Sequence, residues 1–202
     1  MKIELLDCFK PVLEKFKPLN ICEIGTHHGN SAIQFIDILM PFVPAKHKLN
    51  YTGYDLFEDA DEALTKYEIN GKGPGSYKRA KGNLEHRVTK YKKKFSYNLI
   101  RGNTFDTLKD GVYDFVYIDG GHSYNTVKHD YEKVKDSKII VFDDCQLPEV
   151  RSAVDEIIAD LQRDYEIVKS DTPDIPNPKQ IIVNEWEGAR HKQVCLIKGN
   201  YS

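Results

Sequence analysis

The sequence predicts an α/β protein: a doubly wound, mostly parallel sheet covered by helices on both faces, in a single domain. Three observations predict it. Short apolar runs of strand length alternate with segments whose apolar residues recur at helical spacing. The first run ends in a glycine turn that leads straight into a helix. The 202 residues suffice for one sizeable core and not for two.

The elements follow in chain order. Leu5, Leu6, Phe9, Val12, Leu13 and Phe16 form the stripe of a leader helix within residues 1–18, bent or restarted at Pro11. Leu19 to Ile24 is the first strand of a main domain over residues 19–202. Ala32, Ile33, Ile36, Leu39 and Met40 keep helical spacing until Pro41 stops them. Tyr51 to Leu56, Asn98 to Arg101, Val112 to Ile118 and Ile139 to Phe142 read as strands two to five. Tyr124, Val127, Tyr131 and Val134 mark a crossover helix between the last two. Val150, Val154, Ile157, Ile158 and Leu161 mark the next helix. Tyr165 to Val168 and Val194 to Ile197 complete seven strands as an antiparallel edge pair.

Two segments break this rhythm. Asn70 to Ser76 is a glycine-rich joint, followed by a helix with Tyr77, Ala80, Leu84, Val88 and Tyr91 inward. Its outer positions and tail carry Lys78, Arg79, Lys81, Arg87, Lys90, Lys92, Lys93 and Lys94 against Glu85 alone. A solvated outer helix and a lid over a substrate both fit residues 57–95. Asp171 to Pro178, with prolines at 173, 176 and 178, is a loop.

Composition excludes several classes. A 40% hydrophobic and 30% charged chain is an ordinary water-soluble globule. The net charge of −2 argues against a dedicated nucleic-acid binder. No run approaches the ~20 apolar residues of a membrane span, and the start of the chain lacks the apolar core of a signal peptide. Cys8, Cys22, Cys145 and Cys195 have no paired spacing of zinc or redox type, which points to buried thiols in the cytoplasm.

The chemistry begins at Ile21-Cys-Glu-Ile-Gly25-Thr-His-His-Gly29-Asn-Ser31. In open α/β sheets the ligand crevice lies beyond the carboxyl ends of the strands, where strand order reverses. A dinucleotide fingerprint needs a second glycine two residues after Gly25, where His27 stands. Glu23 would repel a pyrophosphate and attract an ammonium group, and Asp55 is placed to accept from ribose hydroxyls. A cationic amino-acid nucleoside suits these residues better than an anionic dinucleotide. An ordinary strand-to-helix turn is the plainer alternative.

A second group gathers at the ends of strands four and five: Asp119-Gly-Gly-His122 and Asp143-Asp144. Adjacent strands lie ~4.8 Å apart, so these acids come within reach of one hard divalent ion such as Mg²⁺ or Ca²⁺. Alternatively, Asp119 caps the next helix while Asp143 and Asp144 are turn residues.

Glu-Ile-Gly-Thr-His-His-Gly-Asn-Ser together with Gly-Tyr-Asp-Leu-Phe-Glu-Asp resembles the cofactor loop and ribose strand of class I S-adenosylmethionine-dependent methyltransferases. The missing middle glycine is similar to their metal-dependent O-methyltransferase branch, which acts on catechols and macrolide sugars. The resemblance implies a Rossmann-like fold, with S-adenosylmethionine held by Glu23, Gly25, Thr26, Gly29, Ser31, Asp55 and Asp119. It implies that Asn103 or Thr104 touches the adenine, and that Asp119, Asp143 and Asp144 ligate Mg²⁺. His122, or Asp119 itself, takes the proton of a small hydroxyl-bearing acceptor; a helix-start histidine is the alternative for His122. His27 and His28 are loop residues beside the cofactor, and a homodimer is a family-based expectation. Lys135 to Lys138 replaces the Gly-Gly turn that many relatives have before strand five.

Three rivals stand beside this reading. A nicotinamide-dependent oxidoreductase is opposed by His27 and Glu23. A metal-dependent hydrolase or hydroxylase would be inhibited by chelation and indifferent to S-adenosylhomocysteine. A non-catalytic module would bind cofactor without methyl transfer.

Overall fold

A computed structural model describes residues 3–68, 73–172, 174–187 and 192–199. In chain order the elements are α1 (Ile3–Phe16), β1 (Asn20–Ile24), α2 (Asn30–Leu39), β2 (Leu49–Asp55), α3 (Glu62–Tyr67), α4 (Tyr77–Tyr91), β3 (Phe95–Arg101), α5 (Thr104–Thr107), β4 (Phe115–Ile118), α6 (Tyr124–Val134), β5 (Ile139–Phe142), α7 (Pro148–Leu161), β6 (Glu166–Lys169), β7 (Gln180–Glu187) and β8 (Lys192–Lys198).

One sheet runs in the order β3-β2-β1-β4-β5-β8-β7-β6. Among the described residues it has eight strands, not the expected seven. The extra strand is β7, whose Ile181-Ile182-Val183 run follows the proline-rich loop directly. The expected antiparallel edge pair does not form: β6 is parallel to β7, and β8 lies antiparallel between β5 and β7. β8 fits there because its Val194 to Ile197 is buried throughout, as a central strand demands. α1 also runs on through Pro11 instead of breaking, at the cost of one i→i−4 hydrogen bond.

Alternation along the strands sends side chains into two cores. Ile21, Tyr51, Phe115 and Tyr117 meet Phe35, Ile36 and Leu39 of α2, Leu84 of α4, and Val12 and Leu13 of α1. Cys22, Ile24, Val116 and Ile140 meet Val127 and Tyr131 of α6 and Val154 and Ile157 of α7. The side chains of residues 3–9, including the expected Leu5, Leu6 and Phe9, lie outside the described residues, as do residues 69–72 of the glycine-rich joint.

The basic helix is α4, the crossover between β2 and β3. Ala80 and Leu84 are buried, and Arg87 and Lys90 reach Asp37 of α2 at 2.7 and 3.2 Å. Lys78, Arg79, Lys81, Lys92, Lys93 and Lys94 are exposed. No helix among the described residues is long and apolar enough to cross a membrane. Cys22, Cys145 and Cys195 are free and buried.

β1 is the point from which the chain winds outward to β2 and β3, then returns to place β4 on its other side. The crevice rule therefore puts the ligand site beyond the carboxyl ends of β1 and β4.

Candidate active site

A cavity of about 430 Å³ opens there, within the usual range for small-molecule sites. Its walls are the Gly25 loop, Asp55 to Phe57, Gly102 to Phe105, and Asp119 to His122, with Thr126 and Asp130 from α6. Ala60, Leu64, Glu68 and Gly73 to Gly75 form the roof.

The loops after β1 and β4 pass each other in contact. Gly25 adopts φ +94°, and a Cβ there would lie 1.9 Å from the Asp119 carbonyl oxygen. Only glycine permits both the dihedral and the approach. Gly25 N donates to Tyr54 O at 2.8 Å and Asp119 N to Ile24 O at 2.8 Å, which pins the crossing to β2 and β1. His27, at φ +52°, donates its N–H to Asp55 Oδ2 at 2.6 Å, while Phe57 N–H reaches Oδ1 at 2.5 Å. Burial raises the Asp55 pKa, and these two amides oppose the rise.

The expected cofactor residues divide. Gly25, Thr26, Ser31, Asp55, Asn103, Thr104 and Asp119 line the cavity. Glu23 does not: it is fully buried on the α2 face of the sheet and accepts a hydrogen bond from the Tyr51 hydroxyl. Strand alternation turns it there, because Cys22 and Ile24 take the opposite face. Gly29 also lies outside the cavity wall, at the N-cap of α2, where its Cα side faces Ala80 of α4. Asn103 caps α5 by accepting from Phe105 N at 3.0 Å. His27 and His28 hold the roof: His27 Nε2 meets Gly73 O at 3.2 Å, and Ser76 N donates to His28 Nδ1 at 3.0 Å.

The carboxylates at β4 and β5 are not the shared ligand set the sequence suggested. Asp143 turns under the sheet, where Oδ2 accepts from Tyr117 OH at 2.5 Å and Oδ1 from Gln193 Nε2 at 3.0 Å. Asp144, at φ +55°, turns the other way: Oδ1 accepts from Gln146 Nε2 at 2.7 Å and Oδ2 lies 3.0 Å from His122 Nε2. Asp119, His122, Asp143 and Asp144 border a void of about 10 Å³, room for at most one water. Among the described residues no group of three or more His, Cys, Asp or Glu side chains is arranged to hold a metal.

What the structure does assemble is a histidine–carboxylate pair. Asp144 engages His122 Nε2, and the buried Nδ1 has no hydrogen-bond partner among the described residues. His122 stands at the cavity wall under the roof, where its backbone N–H donates to Glu68 O at 2.9 Å. The Glu68 carboxylate accepts from Ser123 N at 3.1 Å, and a Cβ on Gly121 would lie 2.5 Å from its Oε2.

Sequence reading missed Glu68, Thr126 and Asp130. Asp130 left a signal: it stands three residues after Val127 and four before Val134, inside the apolar stripe of α6. It is fully buried, and burial pushes its pKa up to about 7; the Thr104 hydroxyl opposes the rise and Glu68 adds to it.

The sequence profile of a family described as Methyltransferase domain matches residues 22–145. No curated protein matches the sequence. The fold is similar to that of the O-methyltransferase NovP, at 16% identity and a TM-score of 0.61, over 96% of this chain and 78% of that one. An O-methyltransferase from Bacillus cereus in complex with SAH is similar at 16% identity and a TM-score of 0.56, over 98% and 82%. So is the O-methyltransferase TomG from Streptomyces achromogenes, involved in tomaymycin synthesis and solved with SAM, at 14% identity and a TM-score of 0.57, over 98% and 82%. At these identities the likeness is one of fold.

The buried acid has a thermodynamic signature. Its folded pKa, about 7, lies above the model-peptide value of 3.8, so folding takes up a proton between the two. The stability contribution is present below about pH 4 and is lost as pH climbs through about 7. Asp130→Asn is expected to melt about 3–6 °C above wild type at pH 5 and about 8 °C or more above it at pH 8.5. Calorimetry of the ligand-free protein at both pH values checks this, and equal melting points at pH 8.5 would contradict it.

Proposed function

This chain belongs to the methyltransferase domain family, and from that membership we propose that it is an S-adenosylmethionine-dependent O-methyltransferase acting on a small hydroxyl-bearing molecule. One observation carries the proposal beyond the family: a single cavity joins a nucleoside-type wall to His122, whose Nε2 lies 3.0 Å from Asp144 behind the wall.

The residues present fit the cofactor. Asp55 keeps lone pairs for ribose hydroxyls after accepting two backbone amides. Gly25, Gly120 and Gly121 place backbone without side chains along the cavity wall at the strand ends. When bound, S-adenosylmethionine supplies an electrophilic methyl group on a sulfonium.

The protein's own part is alignment and proton transfer. Asp144 holds the proton of His122 on Nε2, which leaves the Nδ1 lone pair to take the proton of the acceptor hydroxyl. The same carboxylate balances the charge of the imidazolium that forms. The roof of Leu64 and Glu68 restricts water over the reacting atoms and limits the acceptor to a small molecule. No step is routed through Mg²⁺: Asp143 and Asp144 are turned toward different partners, Tyr117 and Gln193 for one and Gln146 and His122 for the other.

Three results test this. S-adenosylhomocysteine at ~100 times its dissociation constant should raise the melting temperature by about 5–10 °C, while NAD leaves it unchanged; the reverse pattern would replace the reading with an oxidoreductase. His122→Ala should lower kcat on a competent acceptor by about 10²–10⁴ with cofactor affinity within twofold, measured by calorimetry beside single-turnover kinetics. Turnover should persist after EDTA treatment, and its loss, restored by Mg²⁺, would return the ion to the mechanism.

A further inference from the structure

We infer that Asp130 of α6 reads the amino edge of the cofactor's adenine ring, an inference that rests on the S-adenosylmethionine reading above. The residue is fully buried, and neither carboxyl oxygen has a hydrogen-bond partner among the described residues. The Thr104 side chain lies beside it. A buried acid left this way destabilises the protein, and nothing in the packing of α6 requires it, since Val127, Tyr131 and Val134 already fill the adjoining core. The carboxyl therefore awaits a partner from outside the chain.

The cavity lies directly beside the carboxyl. Asp130 is part of its wall, and a Cβ at Gly120 would stand 3.5 Å from Asp130 Oδ2. A longer side chain at position 120 would stand between the acid and the cavity, and glycine places none there. The placement also suits the base and not the amino-acid end of a nucleoside. Gly102 N donates to Asp55 O at 3.0 Å, joining the turn after β3 to the ribose anchor. From that turn Asn103 and Thr104 lead into α5, which docks on α6 where His129 Nε2 meets Thr104 O at 3.2 Å.

The recognition is complementary in hydrogen-bond type. Adenine presents a 6-amino donor beside the N1 acceptor. A neutral carboxylic acid presents an acceptor beside a donor at matching separation, so the two pair through two hydrogen bonds. Burial, with Glu68 nearby, favours that neutral form near pH 7.

The test is a two-by-two binding cycle by calorimetry at pH 6.5, using S-adenosylhomocysteine and its 6-deamino (purine) analogue. Wild type should prefer the adenine ligand by about tenfold, the worth of one well-formed hydrogen bond in a buried site. Asp130→Asn should keep the preference, because the amide offers the same acceptor and donor. Asp130→Leu, or Asp130→Ala where leucine impairs folding, should bring the ratio to within about twofold by losing affinity for the adenine ligand. A preference that survives in Asp130→Leu or Asp130→Ala, or a wild-type ratio near one, overturns the role of Asp130 and leaves the cofactor reading standing. A wild type that binds neither ligand overturns both.

Discussion

The contact on which the rest of the site depends is the passage of the Gly25 backbone against the carbonyl of Asp119. Two loops that belong to different strands are held at a separation no side chain would tolerate. Because the crossing is tied to Tyr54 O on one side and Ile24 O on the other, the loops move only with the strands beneath them. Asp55 adds the third tether by accepting from the loop at His27 and from its own strand end at Phe57. The cavity floor is thus set by backbone hydrogen bonds, and side chains around it adjust selectivity without setting its position.

Beneath that floor lies a buried polar layer, unusual in the middle of a parallel sheet. Tyr51 donates to Glu23, and Tyr117 donates to Asp143, which also accepts from Gln193 of β8. Burial holds both tyrosines well above their ordinary pKa, so they remain donors at any physiological pH. Each pair offsets the desolvation of an acid with a neutral hydroxyl, which avoids placing a second charge in the core. The arrangement gives Glu23 and Asp143 a part in the sheet itself: their hydrogen bonds join β1 to β2 and β4 to both β5 and β8.

The parts of the fold written in local pattern were legible. β1, β2, β5 and the helices α2, α4, α6 and α7 follow from apolar periodicity, and Gly25 and Asp55 from their place at strand ends. β7 was not, because its apolar core of Ile181 to Val183 is short and the remainder, Asn184-Glu-Trp-Glu187, alternates in polarity like a loop edge. Pairing of β8 with β5 is a long-range choice that no local run encodes. In the site, residue types at strand ends identified the neighbourhood but not the direction of each side chain. Asp143 and Asp144 are adjacent in sequence, yet one points under the sheet and the other to His122, because a positive φ at Asp144 reorients it. Glu68 and Asp130 were missed for a related reason: each acquires meaning only from a partner segment, the Gly121 turn for one and α5 for the other.

The position of β8 shapes how such a chain is made. Strands β1 to β5 form a five-membered parallel sheet from contiguous sequence, but every residue of β5 is buried, and its outer edge is satisfied only by β8, more than fifty positions later. During synthesis the nascent half-sheet presents Ile139 to Phe142 as an unpaired apolar edge, the kind of template on which neighbouring chains associate. β6 and β7 cannot shield it, since β8 stands between them and β5. The apolar edge of β5 is therefore covered only when this one reversed strand has been added, however stable the five parallel strands are among themselves.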